Sequence, residues 1–149
     1  MADAVIDPVE LDDLPLIVDL YNQIYRPART VEAFRRRYLG RYNVLQLVAR
    51  VDDKPVGFFT GAEQEPAVFS AWCYGVLPDV RRMGIGSQLL AAAHAWATEH
   101  SYDTIRLECH NRHRPMLHLA VDLGYDIVGT RWDGDRGDSL VIFEKSLGA

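Results

Sequence analysis

The middle of the chain most constrains its fold, because three consecutive segments there have the composition of β-strands. They are "VLQLVARV", "PVGFFTGA" and "AVFSAWCYGVL", which are rich in β-branched and aromatic residues. The turn-forming sequences "DDKP" and "EQEP" separate them. Strands joined by such short turns pair in antiparallel fashion, so the sequence predicts a β-meander at the centre of the protein.

Helix and strand patterns flank this meander without a linker or a repeat. Before it come a short strand, "AVIDPVE", and two helices, the second of which begins after Thr30 as its N-cap. After it come a helix from Ile85, the strand "TIRLECH", a helix with Pro115 in its first turn, and the strands "YDIVGTRW" and "LVIFEKSL". Residues 1–149 are therefore expected to form a single α+β domain. Its sheet would be mixed and mostly antiparallel, with six to seven strands flanked by about four helices.

Composition excludes several classes of function. Acidic residues outnumber basic ones by 21 to 16, which argues against binding to nucleic acid or to a membrane surface. The segment "MADAVIDPVELDD" lacks the apolar core of a signal peptide, and no stretch reaches the roughly 20 apolar residues of a membrane span. Cys73 and Cys109 are too few for a disulfide scaffold or a zinc site, so we expect buried free thiols, no metal and a cytoplasmic location.

The segment "PDVRRMGIGSQLL" predicts an anion-binding site. Gly84 and Gly86 lack Cβ atoms, so a ligand could approach the backbone amides closely. The helix that starts near Ile85 leaves its first N–H groups without partners and carries partial positive charge, which favours a phosphate group. Arg81 and Arg82 add formal positive charge at the same place.

Three phosphate-binding patterns compete for this segment. A Walker loop requires a lysine, and the chain has none between Lys54 and Lys145. The dinucleotide-binding pattern G-x-G-x-x-G is incomplete, because Leu89 replaces its last glycine. It stays open as a minor alternative, since Glu108 follows at about the spacing of a ribose-binding acid. The third pattern, [QR]-x-x-G-x-[GA], is matched in full by residues 81–86.

In this setting the chain resembles the GNAT superfamily of acetyl-CoA-dependent N-acetyltransferases. The motif follows a long strand ending in "VLP", and a helix, a strand and a helix ending in "LGY" come after it. The resemblance covers essentially the whole chain. It implies that the protein is an acyltransferase that moves an acetyl group from acetyl-CoA to a primary amine of a small molecule or a protein. A homodimer is compatible with this resemblance.

The resemblance also assigns residues to acetyl-CoA. The loop and helix start, residues 81–87, would bind the pyrophosphate, and the end of the preceding strand would pair with the pantetheine arm. A splay of that strand would leave unpaired the backbone groups that such an arm needs. The expected acetyl-CoA residues are Tyr74, Val76, Arg81, Arg82, Met83, Gly84, Ile85, Gly86, Ser87, His113 and Met116.

The chain departs from the family where proton transfer usually takes place. The tyrosine that often protonates the leaving thiolate falls on Ala120, and the positions that often hold the general base fall on Ser70 and Trp72. None of these side chains can serve as acid or base at neutral pH. A non-catalytic protein that senses acetyl-CoA therefore remains an alternative function.

Other residues near the expected thioester could replace the missing pair. We expect Tyr74 to protonate the thiolate, because it lies on the strand that runs beside the pantetheine arm. Strand alternation predicts that Tyr74 shares a face with Trp72, unless a bulge near Gly75 intervenes. The candidates for a base acting through water are Glu63, Glu65 and Glu108.

Charges near the two ends of the chain suggest an acceptor site. Six arginines lie between Arg26 and Arg41, and the sequence "WDGDRGDS" places three aspartates on the last hairpin loop. A basic lip and an acidic lip would suit a zwitterionic small molecule or a peptide terminus. Charges on solvated surfaces are the simpler interpretation of the same pattern.

Overall fold

The structure is a computed structural model that describes residues 3–148. Within these residues the elements are β1 (Val5–Pro8), α1 (Leu14–Ile24), α2 (Val31–Tyr38), β2 (Leu45–Val51), β3 (Lys54–Glu65), β4 (Val68–Val76), α3 (Ile85–Glu99), β5 (Thr104–His110), α4 (Arg114–Asp122), β6 (Asp126–Asp133) and β7 (Asp138–Ser146). Single 3-10 turns precede α1 and α3. The predicted α+β class is confirmed, as are the expected numbers of strands and helices.

The strands form one sheet in the order β1-β2-β3-β4-β5-β7-β6. Neighbouring strands are antiparallel except β4 and β5, which are parallel. The predicted meander is β2-β3-β4, and α3 provides the crossover that a parallel pair requires. Pro8 lies on β1 at one edge of the sheet, where the missing N–H removes no internal ladder bond.

Local signals explain where the helices begin. The Thr30 hydroxyl accepts a hydrogen bond from the Ala33 amide at 3.1 Å, which caps α2 as predicted. Pro115 occupies the first turn of α4. Gly84 precedes α3 with a φ of +81°, a left-handed conformation in which a residue with a Cβ atom is strained.

Helices cover both faces of the sheet. Alternation along β2 directs Leu47 toward α3 and its neighbour Val48 toward α1, so each face has its own apolar core. Leu89 and Leu90 of α3 are fully buried in the core between the sheet and α3, the α3 core. Ile17 of α1 is fully buried in the core on the other face, the α1 core. This arrangement leaves the ends of β4 and β5 free to carry a site between the helices.

The sheet opens between its two central strands. β4 and β5 pair only over residues 68–71 and 104–107. Beyond that point β4 stays paired with β3 and β5 stays paired with β7, so the two halves of the sheet separate. The opening leaves the backbone of residues 72–76 without a partner strand on one side, which is the splay expected from the sequence.

A bulge in β4 puts Tyr74 and Trp72 on opposite faces of the sheet, although strand alternation predicted one shared face. Trp72 has no partner in the register between β4 and β3, whereas the residues on either side of it do. Trp72 therefore packs beside Phe34 in the α1 core, while Tyr74 lies in the α3 core. The prediction that both share a face is wrong, because the bulge lies at Trp72 and not near Gly75.

Both cysteines are free thiols next to this opening. Cys109 on β5 is buried, and Cys73 on β4 is partly buried. Burial raises the pKa of Cys109 to about 12 and also raises the pKa of Cys73, so both thiols are protonated at neutral pH. Within residues 3–148, every helix is too short or too polar to cross a bilayer.

Candidate active site

Two cavities meet where β4 and β5 separate. The large cavity, of about 680 Å³, lies between the start of α3 and α4. The small cavity, of about 220 Å³, lies between the α1–α2 connection and the β6–β7 hairpin. Four residues contribute to the lining of both cavities: Tyr25, Tyr74, His113 and Met116. The two cavities are therefore adjacent.

The expected acetyl-CoA residues come together around the large cavity. It is lined by Tyr74, Val76, Arg81, Arg82, Gly84, Ile85, Gly86, Ser87, His113 and Met116. Met83 is the exception, since its partly buried side chain packs against the α3 core. The unpaired amides at the start of α3 open into this cavity beside two exposed arginines, which is an environment suited to a phosphate group.

The two glycines of the motif have different structural roles. A Cβ atom on Gly84 would contact only the side-chain Nε2 of Gln88, at 3.9 Å. The positive φ of Gly84 is therefore what favours glycine at this position. A Cβ atom on Gly86 would lie 3.2 Å from the Leu119 side chain of α4. Gly84 thus shapes the loop, and Gly86 allows α3 and α4 to approach each other.

Side chains donate hydrogen bonds to two backbone carbonyl groups that have no partner strand where the sheet opens. The Tyr25 hydroxyl donates a hydrogen bond to the Tyr74 carbonyl, and Nε of Arg81 donates to the Val76 carbonyl at 3.2 Å. Gly75 lies between them, where a Cβ atom would be 3.2 Å from Tyr25. The absence of that atom lets the end of α1 cover the opening.

Of the three candidate bases, only Glu108 reaches a cavity. Its carboxylate lines the small cavity and accepts hydrogen bonds from Nε and Nη2 of Arg131, both at 3.1 Å. Glu63 instead accepts a hydrogen bond from the Tyr102 hydroxyl at 2.9 Å, and neither it nor Glu65 lines either cavity.

Two aspartates of the predicted acidic lip form hydrogen bonds with other side chains of the protein. Asp133 accepts a hydrogen bond from Nε2 of His110 at 2.9 Å, and this bond holds the pKa of the carboxyl below its usual range. Asp138 accepts from Nε of Arg112 at 3.0 Å. No group of three or more His, Cys, Asp or Glu side chains within residues 3–148 is arranged to hold a metal ion.

Two tyrosines, Tyr25 and Tyr74, line both cavities. Tyr74 is 3% exposed, and its hydroxyl has no hydrogen-bond partner. Burial raises the pKa of Tyr74 and also that of Tyr25, so both hydroxyls are weaker acids than an exposed tyrosine. Tyr25 is only partly buried, and its ring lies 5.3 Å from that of His113 between the centroids.

Tyr25 was not predicted from the sequence. It follows α1 and lies 49 residues from the carbonyl that it contacts, so no local motif marks it. Ala120, at the position that usually holds a tyrosine in the family, is fully buried and offers no polar group.

Comparisons with known proteins agree with the resemblance described above. The model of the Acetyltransferase (GNAT) family matches residues 14–125. No curated protein sequence matches this chain significantly.

Several solved structures share the fold at low sequence identity. The ribosomal-protein-S18-alanine N-acetyltransferase from Escherichia coli is 18% identical, with a TM-score of 0.85 over 99% of this chain and 96% of that chain. Ard1 from Thermoplasma volcanium is 17% identical, with a TM-score of 0.84 over 96% and 97% of the two chains. The structure of yncA from Salmonella typhimurium with its cofactor acetyl-CoA is 14% identical, with a TM-score of 0.78 over 97% and 94%.

Proposed function

The chain belongs to the GNAT acetyltransferase family, and from that premise we propose that it acetylates a primary amine of a small molecule or a protein, with acetyl-CoA as the acetyl donor. The observation that carries this proposal is the junction of two cavities at the β4–β5 opening. One cavity offers a phosphate site and unpaired strand backbone, and the other offers a carboxylate and several cations. This division matches a reaction between a nucleotide thioester and a polar acceptor.

The large cavity fits acetyl-CoA on two independent features. The α3 N-terminus, with Arg81 and Arg82 beside it, would hold the pyrophosphate. The carbonyls of Tyr74 and Val76 would accept hydrogen bonds from the pantetheine amides in place of their present side-chain partners. When bound there, the thioester supplies an activated acetyl group.

Glu108 is the base that we propose for the acceptor. An ammonium group must lose a proton before its nitrogen can attack, and a carboxylate in the acceptor cavity can take that proton through a water molecule. Once the N–C bond has formed, the nitrogen must lose a second proton, which balances the one that the leaving sulfur gains. Glu108 accepts this proton by the same route after releasing the first to solvent. Arg131 orients the carboxylate without closing it off, since the Glu108 side chain remains 26% exposed.

Tyr25, rather than Tyr74, is the proton donor that we propose for the leaving sulfur. The sulfur must gain a proton as its bond to the acetyl carbon breaks, and Tyr25 and Tyr74 are the two tyrosines that line both cavities. The Tyr74 side chain packs in the α3 core, and its buried hydroxyl makes no hydrogen bond within residues 3–148. The Tyr25 hydroxyl is directed at the opened strand and already donates a hydrogen bond there.

Replacing Tyr25 with phenylalanine is expected to lower kcat by about 100-fold, the lower end of the contribution of a general acid. The affinity for coenzyme A should change by less than about threefold, or about 0.6 kcal/mol. Tyr74→Phe is the matched control and should lower kcat by less than about threefold. The opposite ranking in steady-state kinetics would assign the donor role to Tyr74, and equal small losses would assign it to water.

A sensor that binds acetyl-CoA without turnover is the second candidate, supported by the absence of the usual acid and base at Ala120, Ser70 and Trp72. The two functions differ in one measurement, the release of free thiol from acetyl-CoA in the presence of a panel of primary amines. Thiol release with formation of an acetylated amine supports the enzyme. Tight binding of acetyl-CoA with no thiol release from any amine would support the sensor.

We also propose that the protein acts in the cytoplasm. Its two cysteines are unpaired although both line the small cavity, as expected in a reducing compartment.

A further inference from the structure

Three arginines, which we call the cationic wall, line the small cavity. Arg29 comes from the α1–α2 connection, Arg37 from α2 and Arg136 from the β6–β7 turn. Nε of Arg29 and Nη2 of Arg136 both donate hydrogen bonds to the hydroxyl oxygen of Tyr21, each at 3.1 Å. Two cations that share one neutral acceptor repel each other, so this wall is suited to an anion.

The acidic residues of the cavity are occupied elsewhere. Asp133 is bound to His110, and Glu108 is bound to Arg131. Asp135, the remaining acid of the lining, is exposed to solvent. Asp133 is the acid that also approaches the cationic wall, since its Oδ2 lies 3.8 Å from Nε of Arg136.

Arg29 and Arg37 lack a carboxylate partner. Among residues 3–148, no Asp or Glu oxygen lies within 4.0 Å of either guanidinium group. Cζ of Arg37 instead lies 4.6 Å from the centroid of the Trp72 ring, a stacked position that leaves the N–H edges free for a ligand. Partial burial lowers the pKa of Arg37, and an anion beside it would oppose that shift.

The three cations all lie near Cys73. The positive charges of Arg37, Arg29 and Arg136 each favour the ionised form of Cys73, whose pKa burial nevertheless raises. Cys73 lines the same cavity. The three arginines thus line the cavity near the same residue, and Arg37 is also exposed to solvent.

This wall is built before any ligand binds. The Asn22 amide holds the backbone of Arg29 on both sides: its oxygen accepts from the Arg29 amide at 2.8 Å, and its nitrogen donates to the Arg29 carbonyl at 2.9 Å. Nη1 of Arg136 donates to the Arg26 carbonyl at 2.6 Å. Groups that are already positioned lose little conformational freedom on binding, which favours affinity and selectivity.

We propose that the acceptor is a small amine that also carries a carboxylate, as an α-amino acid does, and that Arg29, Arg37 and Arg136 bind this carboxylate. The inference rests on the proposed acetylation of an amine. Guanidinium groups bind carboxylates through paired, charge-assisted hydrogen bonds. The same positive charges disfavour an ammonium group beside them, so they would increase the fraction of neutral amine that can attack.

Matched acceptors test this proposal. Thiol release from acetyl-CoA is measured with the common α-amino acids, with their α-amides and with the corresponding decarboxylated amines. We expect the wild-type protein to prefer its best amino acid over the matching amide by at least about 30-fold in kcat/KM, the range of hydrogen bonds to charged groups. Arg37→Ala should reduce that preference at least about tenfold by raising KM for the amino acid alone.

Arg36→Ala is the matched control. Arg36 lies on the same helix, is 80% exposed in its side chain and lies 3.9 Å from Glu32, outside the cavity. It should retain the wild-type preference. Equal kcat/KM for amino acids and amides in the wild-type protein would overturn the proposal, as would an unchanged preference in both Arg29→Ala and Arg37→Ala with coenzyme A affinity intact.

Failure of the proposed function gives a different result. If no amine of any series releases thiol, amine acetylation is contradicted, and the arginine wall is then tested by binding alone. Calorimetry would compare N-acetyl amino acids with their N-acetyl amides on the wild-type protein and on Arg37→Ala. Stronger binding of the acids that Arg37→Ala abolishes would support the carboxylate site, and equal binding of acids and amides would overturn it.

Discussion

Replacing Ser87 with aspartate is expected to weaken the binding of coenzyme A at least about 100-fold, or about 2.7 kcal/mol, while the fold stays intact. Ser87 is the third residue of α3 and lines the large cavity. A carboxylate there would compete with the pyrophosphate for the free amides. Like charges about 4 Å apart repel by about 4 kcal/mol at an effective dielectric constant of about 20.

The same substitution should not destabilise the protein. An acidic side chain in the first turn of a helix is favoured by about 0.3–1 kcal/mol, so the Tm of Ser87→Asp should equal or exceed that of the wild type. Ser87→Asn adds a side chain of the same shape without charge and should bind coenzyme A within about threefold of wild type. Titration of all three proteins with coenzyme A decides the matter, and wild-type affinity in folded Ser87→Asp would place the pyrophosphate elsewhere.

Glu108→Gln is expected to lower kcat by about 100- to 10,000-fold, the contribution of a general base. The amide keeps the size of the side chain and can still accept a hydrogen bond from Arg131, whereas it cannot take a proton from the acceptor. The affinity for coenzyme A should not change, because Glu108 lines the small cavity only.

Glu144→Gln provides a control of the same chemistry. Glu144 lies opposite Arg106 on the neighbouring strand β7, with 3.6 Å between its Oε2 and Nη1 of Arg106, and it lines neither cavity. Loss of either exposed ion pair should cost at most about 1 kcal/mol of unfolding free energy. A kcat for Glu108→Gln within about threefold of the Glu144→Gln value would leave proton removal to water.

The parts of this protein that could be predicted from the sequence depend on neighbouring residues. The meander followed from two turn sequences, the start of α2 from Thr30, and the start of α3 from the glycines directly before it. These features depend on hydrogen bonds between residues only a few positions apart and on the backbone angles of single residues. They therefore form in the same way wherever the segment lies in the fold.

The bulge at Trp72 shows where such reasoning stops. Alternation along β4 predicted one face for Trp72 and Tyr74, whereas the two side chains lie in different cores. A bulge arises from the way a strand fits its partner, here the register of β4 against β3. Nothing within β4 specifies that fit.

The sequence by itself determined the glycine loop before α3 and an acid on β5, but only the tertiary structure decided which groups line the small cavity. The hydrogen bond from Arg136 to Tyr21 joins residues 115 positions apart, and Tyr25 reaches β4 from the end of α1. Whether such residues meet depends on the order of the strands and on the helices packed over them. That order follows from burying both faces of the sheet at once, a condition of the whole chain that no single segment records.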